Sequence, residues 1–393
     1  MTLLAKAEAF ADELTRIRRD IHANPELAFQ ETRTAALVAE ELERLGYEVR
    51  TGVGVTGCVG ELSHGSGRTI ALRADMDALP IQETNDVPYR SRNDGVMHAC
   101  GHDAHVTCLL GAARLLAESA REGALPPGRI RLLFQPSEET TDEENIGGAS
   151  RMIADGAMDG VDAVIALHVA ATSPTGLVLF RPGLLMAGHD TLYGTVRGIN
   201  AHAALPHEGR DAILLASHVI QAAQVVVARQ IDPLDSAVVT FGKVQGGTAE
   251  NILASEVRLE GTLRYFSDRV RKTIHDELRR AFAVADTLGG NGVLEIRPGN
   301  PPVINDARVT ELARSAAQSE VGADNVGVAD QIMGAEDFAF LAKRAPGCFF
   351  WLGARIEEDP RLHHSPRFDI DERCLPRGAA VLAAAAAKLL AEW

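Results

Sequence analysis

The chain has 393 residues, more than one ordinary core accommodates, and its 46% hydrophobic and 24% charged content excludes a disordered or fibrous protein and calls for two domains. Acidic residues outnumber basic ones by 54 to 39, a formal charge of −15, and no Lys/Arg-rich run breaks that excess. Such a field repels phosphate backbones and anionic membranes, so neither nucleic acid nor a membrane surface is expected as a partner.

Met1 to Asp20 carries an amphipathic helical pattern (Leu4, Ala7, Phe10, Ala11, Leu14, Ile17) with charges interspersed, and lacks the uninterrupted apolar run of a signal peptide. No stretch reads as long and apolar enough to span a bilayer, and a cytoplasmic protein is expected. A second helical stretch follows Asn24-Pro25-Glu26. Short apolar runs then alternate with helical patterns: Thr69 to Arg73, a helix around Val106 to Ala120, Ile130 to Phe134 and Ala163 to Leu167. This alternation predicts an α/β unit with a mostly parallel sheet.

The pattern changes near Leu185. Thr191 to Val196 reads as a strand, Asp211 to Ala228 as a helix, Ala237 to Val244 and Val257 to Leu263 as strands, Arg269 to Leu288 as a helix and Val293 to Ile296 as a strand, which is the β-α-β-β-α-β order of a ferredoxin-like unit. Beyond Pro301-Pro302, α/β character returns with a helix near Ala307 to Ser319, a strand at Cys348 to Leu352 and an Ala/Leu-rich helix from Arg377 to Glu392. The expected organisation is a first domain in two parts, 1–184 and 299–393, interrupted by an inserted α+β domain over 185–298. No internal repeat is apparent. Five scattered cysteines (Cys58, Cys100, Cys108, Cys348, Cys374) argue against a disulfide framework, so a special cysteine here is a metal ligand or a nucleophile.

Chemistry concentrates in Met97-His98-Ala99-Cys100-Gly101-His102-Asp103-Ala104-His105, where sulfur and imidazole together suit Zn, Mn, Co or Ni. Cys100 and His102, two apart, share a face of an extended segment, and Gly101 lets the backbone bend around an ion. Phe134-Gln135-Pro136-Ser137-Glu138-Glu139 follows an apolar strand, where open α/β sheets place their ligands. If that segment stays extended, one carboxylate is free to bind metal while the other serves as a general base. His168 ends the next apolar run, and His363-His364 offers a further pair. Asp75 and Asp77 follow a strand, and either is suited to accept the remaining N–H of a ligating histidine.

In these segments the chain resembles the aminoacylase and carboxypeptidase-like metallohydrolases, in the branch of hippurate and indole-acetyl-amino-acid hydrolases. The similarity runs end to end, from Arg18-Arg19-Asp20-Ile21-His22-Ala23-Asn24-Pro25-Glu26 through Arg73 to Pro80, Met97 to His105, Gln135 to Glu139, Asn200 to Pro206 and Gly334 to Phe338, to the His-Ser-Pro-Arg-Phe-Asp segment ending at Asp369. It implies a phosphorylase/hydrolase-like catalytic domain with an inserted ferredoxin-like lid and dimerisation domain. It further implies two divalent ions held by Cys100 (bridging), His102, Glu139, His168 and His364, with His363 as the substitute. Glu138 is implied as the base that activates water and then protonates the leaving amine, with Asp75 behind the metals. His202 is implied to stabilise the oxyanion, often across subunits, and Asn251 and Arg264 to bind the free carboxylate or the oxyanion.

Two departures stand out. The peptidase branches carry His-x-Asp where this chain has Arg73-Ala74-Asp75, which fits the cysteine-bearing branch and lowers the weight on peptide substrates. The acidic stretch Thr140 to Asn145 replaces a shorter glycine-rich link. The expected activity is hydrolysis of N-acyl amino acids by a cytoplasmic homodimer. The alternatives are a dipeptidase or carboxypeptidase with the same machinery, or an inactive conjugate-binding homologue.

Overall fold

A computed structural model describes residues 1–357, 359 and 361–393. The chain divides into two compact units: one comprises Met1–Leu185, Ile304–Asp330 and Asp337–Trp393, the other Met186–Val303 and Gln331–Glu336.

The first unit opens with α1 (Leu3–Glu8), α2 (Ala11–Ala23) and α3 (Thr32–Leu45), then β1 (Glu48–Val53), β2 (Gly57–His64) and β3 (Thr69–Asp75). Next come α4 (His102–Arg121), β4 (Gly128–Gln135), α5 (Gly148–Ala154), β5 (Ala163–Pro174), β6 (Val178–Phe180) and β7 (Gly183–Met186). The second unit holds β8 (Gly188–Arg197), α6 (Ala212–Val225), β9 (Ala237–Gly246), β10 (Glu256–Tyr265), α7 (Asp268–Thr287) and β11 (Asn291–Pro298). The chain ends with β12 (Val303–Asn305), α8 (Ala307–Val321), β13 (Val326–Val328), α9 (Phe338–Ala342), β14 (Gly347–Arg355) and α10 (Leu375–Glu392).

The eight-stranded sheet of the first unit runs β1-β2-β4-β3-β5-β14-β6-β13. Its centre, β4-β3-β5-β14, is parallel, while β2 joins antiparallel to both β1 and β4. Every residue of β3 is buried, as is β5 from Ala163 to Ala171, which is why these segments read as unbroken apolar runs rather than alternating ones. Residues of α2, α3, α4, α8 and α10 pack with the sheet into one core, including Leu14, Val38, Leu109, Leu312 and Leu382. The parallel strands end at Asp75 and Gln135, so their carboxyl edge collects the chemistry that open α/β sheets carry there.

The four strands of the second unit are antiparallel in the order β11-β8-β10-β9, with α6 and α7 against one face. This is the ferredoxin-like arrangement expected from the pattern. Its inner residues, among them Leu192, Leu263, Ile274 and Leu278, form a separate core.

Two expectations need correction. Two helical stretches, Ala212–Gln230 and Glu372–Glu392, do reach the length and mean hydropathy of a membrane span (1.5 and 1.4). The second is 78% buried, its alanines and leucines packed in the core; the first is 33% buried and keeps Ile213, Leu214 and Val225 exposed. Second, α4 begins at His102 rather than near Val106, because Gly101 caps it in the left-handed conformation and puts His102 in the first turn.

Candidate metal centre

Four chain segments converge in the first unit. The loop before α4 supplies Cys100 and the start of α4 supplies His102; the segment after β4 supplies Glu138 and Glu139, β5 supplies His168, and the loop after β14 supplies His363 and His364. Backbone bonds pin the loops: Leu79 and Met97 exchange N–H···O bonds of 2.9 and 3.0 Å, and His364 N–H donates to Ala99 C=O at 2.8 Å. That last bond holds His364 beside Cys100, with the His364 backbone at a left-handed φ of 59°.

The donor atoms are arranged for a cation rather than for one another. His102 Nδ1 lies 2.8 Å from Asp77 C=O and 3.1 Å from Asp77 Oδ1, which places its proton there. Its Nε2 is buried with no hydrogen-bond partner among the described residues. His168 Nδ1 likewise donates to Val169 C=O at 2.7 Å and turns Nε2 to within 3.4 Å of Cys100 Sγ. Among the described residues Glu139 Oε1 is buried without a hydrogen bond although His364 Nε2 lies 3.1 Å away, so the two approach without the alignment of donor and acceptor. Ligand-capable atoms lie within 4.8 Å of one another in Cys100/His102/His168, in Cys100/Glu139/His364 and in His102/Glu138/Glu139. Cys100, His102 and Glu139 each belong to two of these sets, so the donor set fits more than one divalent ion.

The electrostatics agree. Burial, with the charge of Glu139 added, pushes the Cys100 thiol well above its usual range, so a thiolate here needs a compensating cation. Burial also drives His168 well below the ordinary imidazole value, helped by His105 and His363, which leaves it the neutral ligand form. For His102, burial works against the proton, yet Asp75, Asp77 and Cys100 together outweigh it and raise the pKa.

Asp75 and Asp77 divide their partners. Asp77 takes the Nδ1–H of His102 and also accepts from Glu139 N–H at 3.0 Å, tying two donor residues together. Asp75 lies 2.6 Å from His105 Nδ1 and 3.5 Å from His102 Nε2. His105 uses its other nitrogen to accept from Val169 N–H at 2.9 Å, so both its nitrogens are engaged and its grouping with Asp75 and His102 is a hydrogen-bond cluster. His363 Nε2 similarly accepts from Ala171 N–H at 3.2 Å, and of the three ligand groupings named above one contains His364 and none contains His363.

The Glu138-Glu139 segment is bent, not extended. Ser137 takes a left-handed φ of 45°, its N–H held by Glu31 Oε1 at 2.9 Å and its hydroxyl donating to Thr140 C=O at 2.8 Å. Both carboxylates therefore reach the same group with His102 instead of pointing apart. Glu138 Oε1 accepts from Asp337 N–H at 3.3 Å. Asp337 is itself held by Arg73 Nη2 and Gln135 Nε2, each at 2.8 Å. Sequence reasoning missed Glu31, whose partners Thr56 and Ser137 lie 25 and 106 residues away, and singled out Asp337 only as part of a motif.

His202, Asn251 and Arg264 lie in the second unit. The loop of His202 is laced to the segment of Asn251: Ala203 N–H donates to Asn251 C=O at 3.0 Å and Leu253 N–H to Ala201 C=O at 2.9 Å. His202 is exposed, and its Nδ1 accepts from Ala204 N–H at 3.0 Å, which leaves the ring proton on Nε2. Arg264 stands on β10, half-buried.

A family model described as peptidase family M20/M25/M40 matches residues 71–388. The chain is 39% identical to thermostable carboxypeptidase 2 of Saccharolobus solfataricus over 94% of its own length and 93% of the relative's. It is also 39% identical to IAA-amino acid hydrolase ILR1-like 4 of Arabidopsis thaliana, over 99% and 88%. Among solved structures, a dinuclear metal-binding peptidase of the M20 family from Bacillus subtilis (YXEP protein) superposes with a TM-score of 0.84 at 32% identity, covering 98% of this chain and all of that one.

Proposed function

The chain belongs to peptidase family M20/M25/M40 and is a metal-dependent amidohydrolase, and from that premise we propose that it cleaves the amide bond of N-acyl amino acids. The observation that carries this reading is the convergence of His102 Nε2 and Glu139 Oε1, buried without hydrogen bonds, on the thiol of Cys100 beside a second carboxylate, Glu138. Cys100, His102, Glu139, His168 and His364 would hold two divalent ions (Zn, Mn, Co or Ni). Bound there, such ions supply Lewis acidity toward the amide carbonyl and lower the pKa of water.

The rest of the work belongs to the chain's own groups. Glu138, oriented by the Asp337 N–H, takes a proton from the attacking water at its carboxylate and returns it to the leaving nitrogen. Asp75 and Asp77 keep the surrounding imidazoles in fixed tautomers. In our assignment His202 donates from Nε2 to the developing oxyanion, and Asn251 and Arg264 receive the free carboxylate of the amino acid. The second unit serves as lid and dimerisation domain: Ile213, Leu214 and Val225 of α6 stay exposed, an apolar face suited to a second copy of the chain. Five free cysteines, four of them buried, fit a reducing, cytoplasmic compartment.

The deciding experiment follows amino acid release from a panel including hippurate and N-acetyl-methionine, with and without chelator, for wild type and Glu138→Ala. Chelator-sensitive release by wild type, abolished in Glu138→Ala while its metal content is unchanged, is the required result. Activity retained by that variant overturns the role of Glu138, and faster release from dipeptides than from acyl amino acids replaces the substrate reading with the peptidase one.

A further inference from the structure

Arg264 of β10 stands directly opposite His189 of β8 in the antiparallel register. Their chain neighbours Leu263, Tyr265 and Asp190 face the helices: the first two lie in the α6/α7 core, and Asp190 is bonded by Arg271 and His275 of α7. Side chains alternate along a strand, so Arg264 and His189 sit side by side on the opposite face of the sheet.

Neither has its donors satisfied. Among the described residues Arg264 makes no hydrogen bond or ion pair, although it is half-buried and burial lowers its pKa. A desolvated guanidinium without an anion is a site prepared for one. His189 accepts Asn300 N–H at Nδ1 across 3.3 Å, and its own backbone exchanges bonds of 2.9 and 3.1 Å with Asn300 and Gly299. Its neutral ring therefore carries the proton on Nε2, and that N–H has no partner among the described residues. Burial, reinforced by the charge of Arg264, keeps the ring neutral with a pKa of about 4. The ring lies flat over Gly299: a Cβ there would come within 2.4 Å of Nε2, 2.6 Å of Cε1 and 2.7 Å of Cδ2. Glycine at 299 thus gives the ring its seat.

We propose that His189 and Arg264 form a two-donor clamp for the substrate's free carboxylate, with the His189 Nε2–H selecting free-acid over carboxyl-blocked substrates. The inference rests on the N-acyl amino acid reading above. A carboxylate offers two anionic oxygens, one for the guanidinium and one for the imidazole N–H. A carboxamide presents one neutral oxygen and an NH2 that opposes both donors.

The test uses the metal-loaded full-length protein and measures kcat and KM for the best N-acyl amino acid of the panel and for its carboxamide. His189→Ala is expected to raise KM for the free acid about tenfold, the usual loss for a hydrogen bond to a charged group, with little change in kcat and none in KM for the carboxamide. His189→Gln, which retains an N–H donor, is expected to recover part of the discrimination. An unchanged ratio of free-acid to carboxamide KM in a folded His189→Ala protein overturns this inference and leaves the substrate reading intact. Failure of wild type to hydrolyse any N-acyl amino acid overturns both.

Discussion

Arg18 Nε donates to Asp103 Oδ2 across 2.8 Å, and neither side chain reaches solvent. The same guanidinium meets Asp369 at 3.0 Å and Glu372 at 3.3 Å, while Asp103 also takes His22 Nδ1 at 2.7 Å. Asp103 follows His102 in sequence, and Asp369 lies five residues beyond His364. One buried cation on α2 therefore joins the two segments that carry candidate ligands. Removing it takes the guanidinium from two buried carboxylates, Asp103 and Asp369, so Arg18→Ala is expected to lose about 3–5 kcal/mol of unfolding free energy. Urea denaturation of the metal-free protein measures it, and a loss under 1 kcal/mol shows that the network is not a stabilising hub.

The neighbouring histidines 363 and 364 are expected to separate cleanly. His364 presents Nε2 to Glu139, whereas His363 spends its Nε2 on Ala171 N–H. In His364→Ala the metal content, read by elemental analysis after dialysis, should fall from two ions toward one per chain. His363→Ala should keep both ions and lose only stability, about 1–3 kcal/mol for the orphaned N–H. The reverse pattern makes His363 the ligand. Chelation of wild type should lower Tm, since His102 Nε2, Glu139 Oε1 and the Cys100 thiol lose the partner that offsets their burial.

These cases show what the sequence made legible. Unbroken apolar runs such as Thr69 to Arg73 identify central strands because burial on both faces removes the alternation, and the Cys100/His102 spacing marks a candidate metal cluster from local chemistry alone. Arg18 was hidden for the opposite reason. A charged residue in an amphipathic helix reads as solvated, and only the fold reveals carboxylates 85 and 351 residues away that allow its burial. The partners of Asp75 and Asp77 depend on where α4 starts, which the left-handed Gly101 decides. The bend at Glu138-Glu139 depends on Glu31, with no local signal at all. Short strands such as β6 and β13, three residues each, fall below any periodicity.

A pH-dependent term resides in the second unit. Burial by itself would raise the Asp190 pKa, but hydrogen bonds from His275, Arg271 and Gly299 N–H outweigh it and hold the carboxyl at about 2. With the folded value below the ordinary 3.8, the group contributes stability fully above about pH 4 and loses it as pH falls toward 2. Asp190→Asn is therefore expected to cost about 2 kcal/mol at pH 6. The gap between variant and wild type should shrink steadily between pH 4 and 2. A gap that stays constant over that interval in guanidinium titrations assigns the loss to packing instead of charge.

Gly101 joins Cys100 and His102, two donor residues of the cluster, and constrains the backbone between them. Its φ is +95°, and a Cβ there would approach Val169 Cγ2 to 2.3 Å and Phe368 Cζ to 3.3 Å. Gly101→Ala thus meets two separate obstacles: a left-handed backbone costing about 1–2 kcal/mol for a residue with a Cβ, and a collision with the side chain next to His168. Relief of the collision moves Val169, and with it the N–H that His105 Nε2 accepts, so the distortion should spread to the imidazole cluster and weaken metal binding. The double variant Gly101→Ala/Val169→Ala tells the two obstacles apart, because truncating Val169 removes the clash and leaves the backbone conformation unrelieved. Metal affinity recovered in the double variant, with stability still below that of Val169→Ala alone, is the expected outcome; affinity that stays low places the constraint in the backbone between Cys100 and His102.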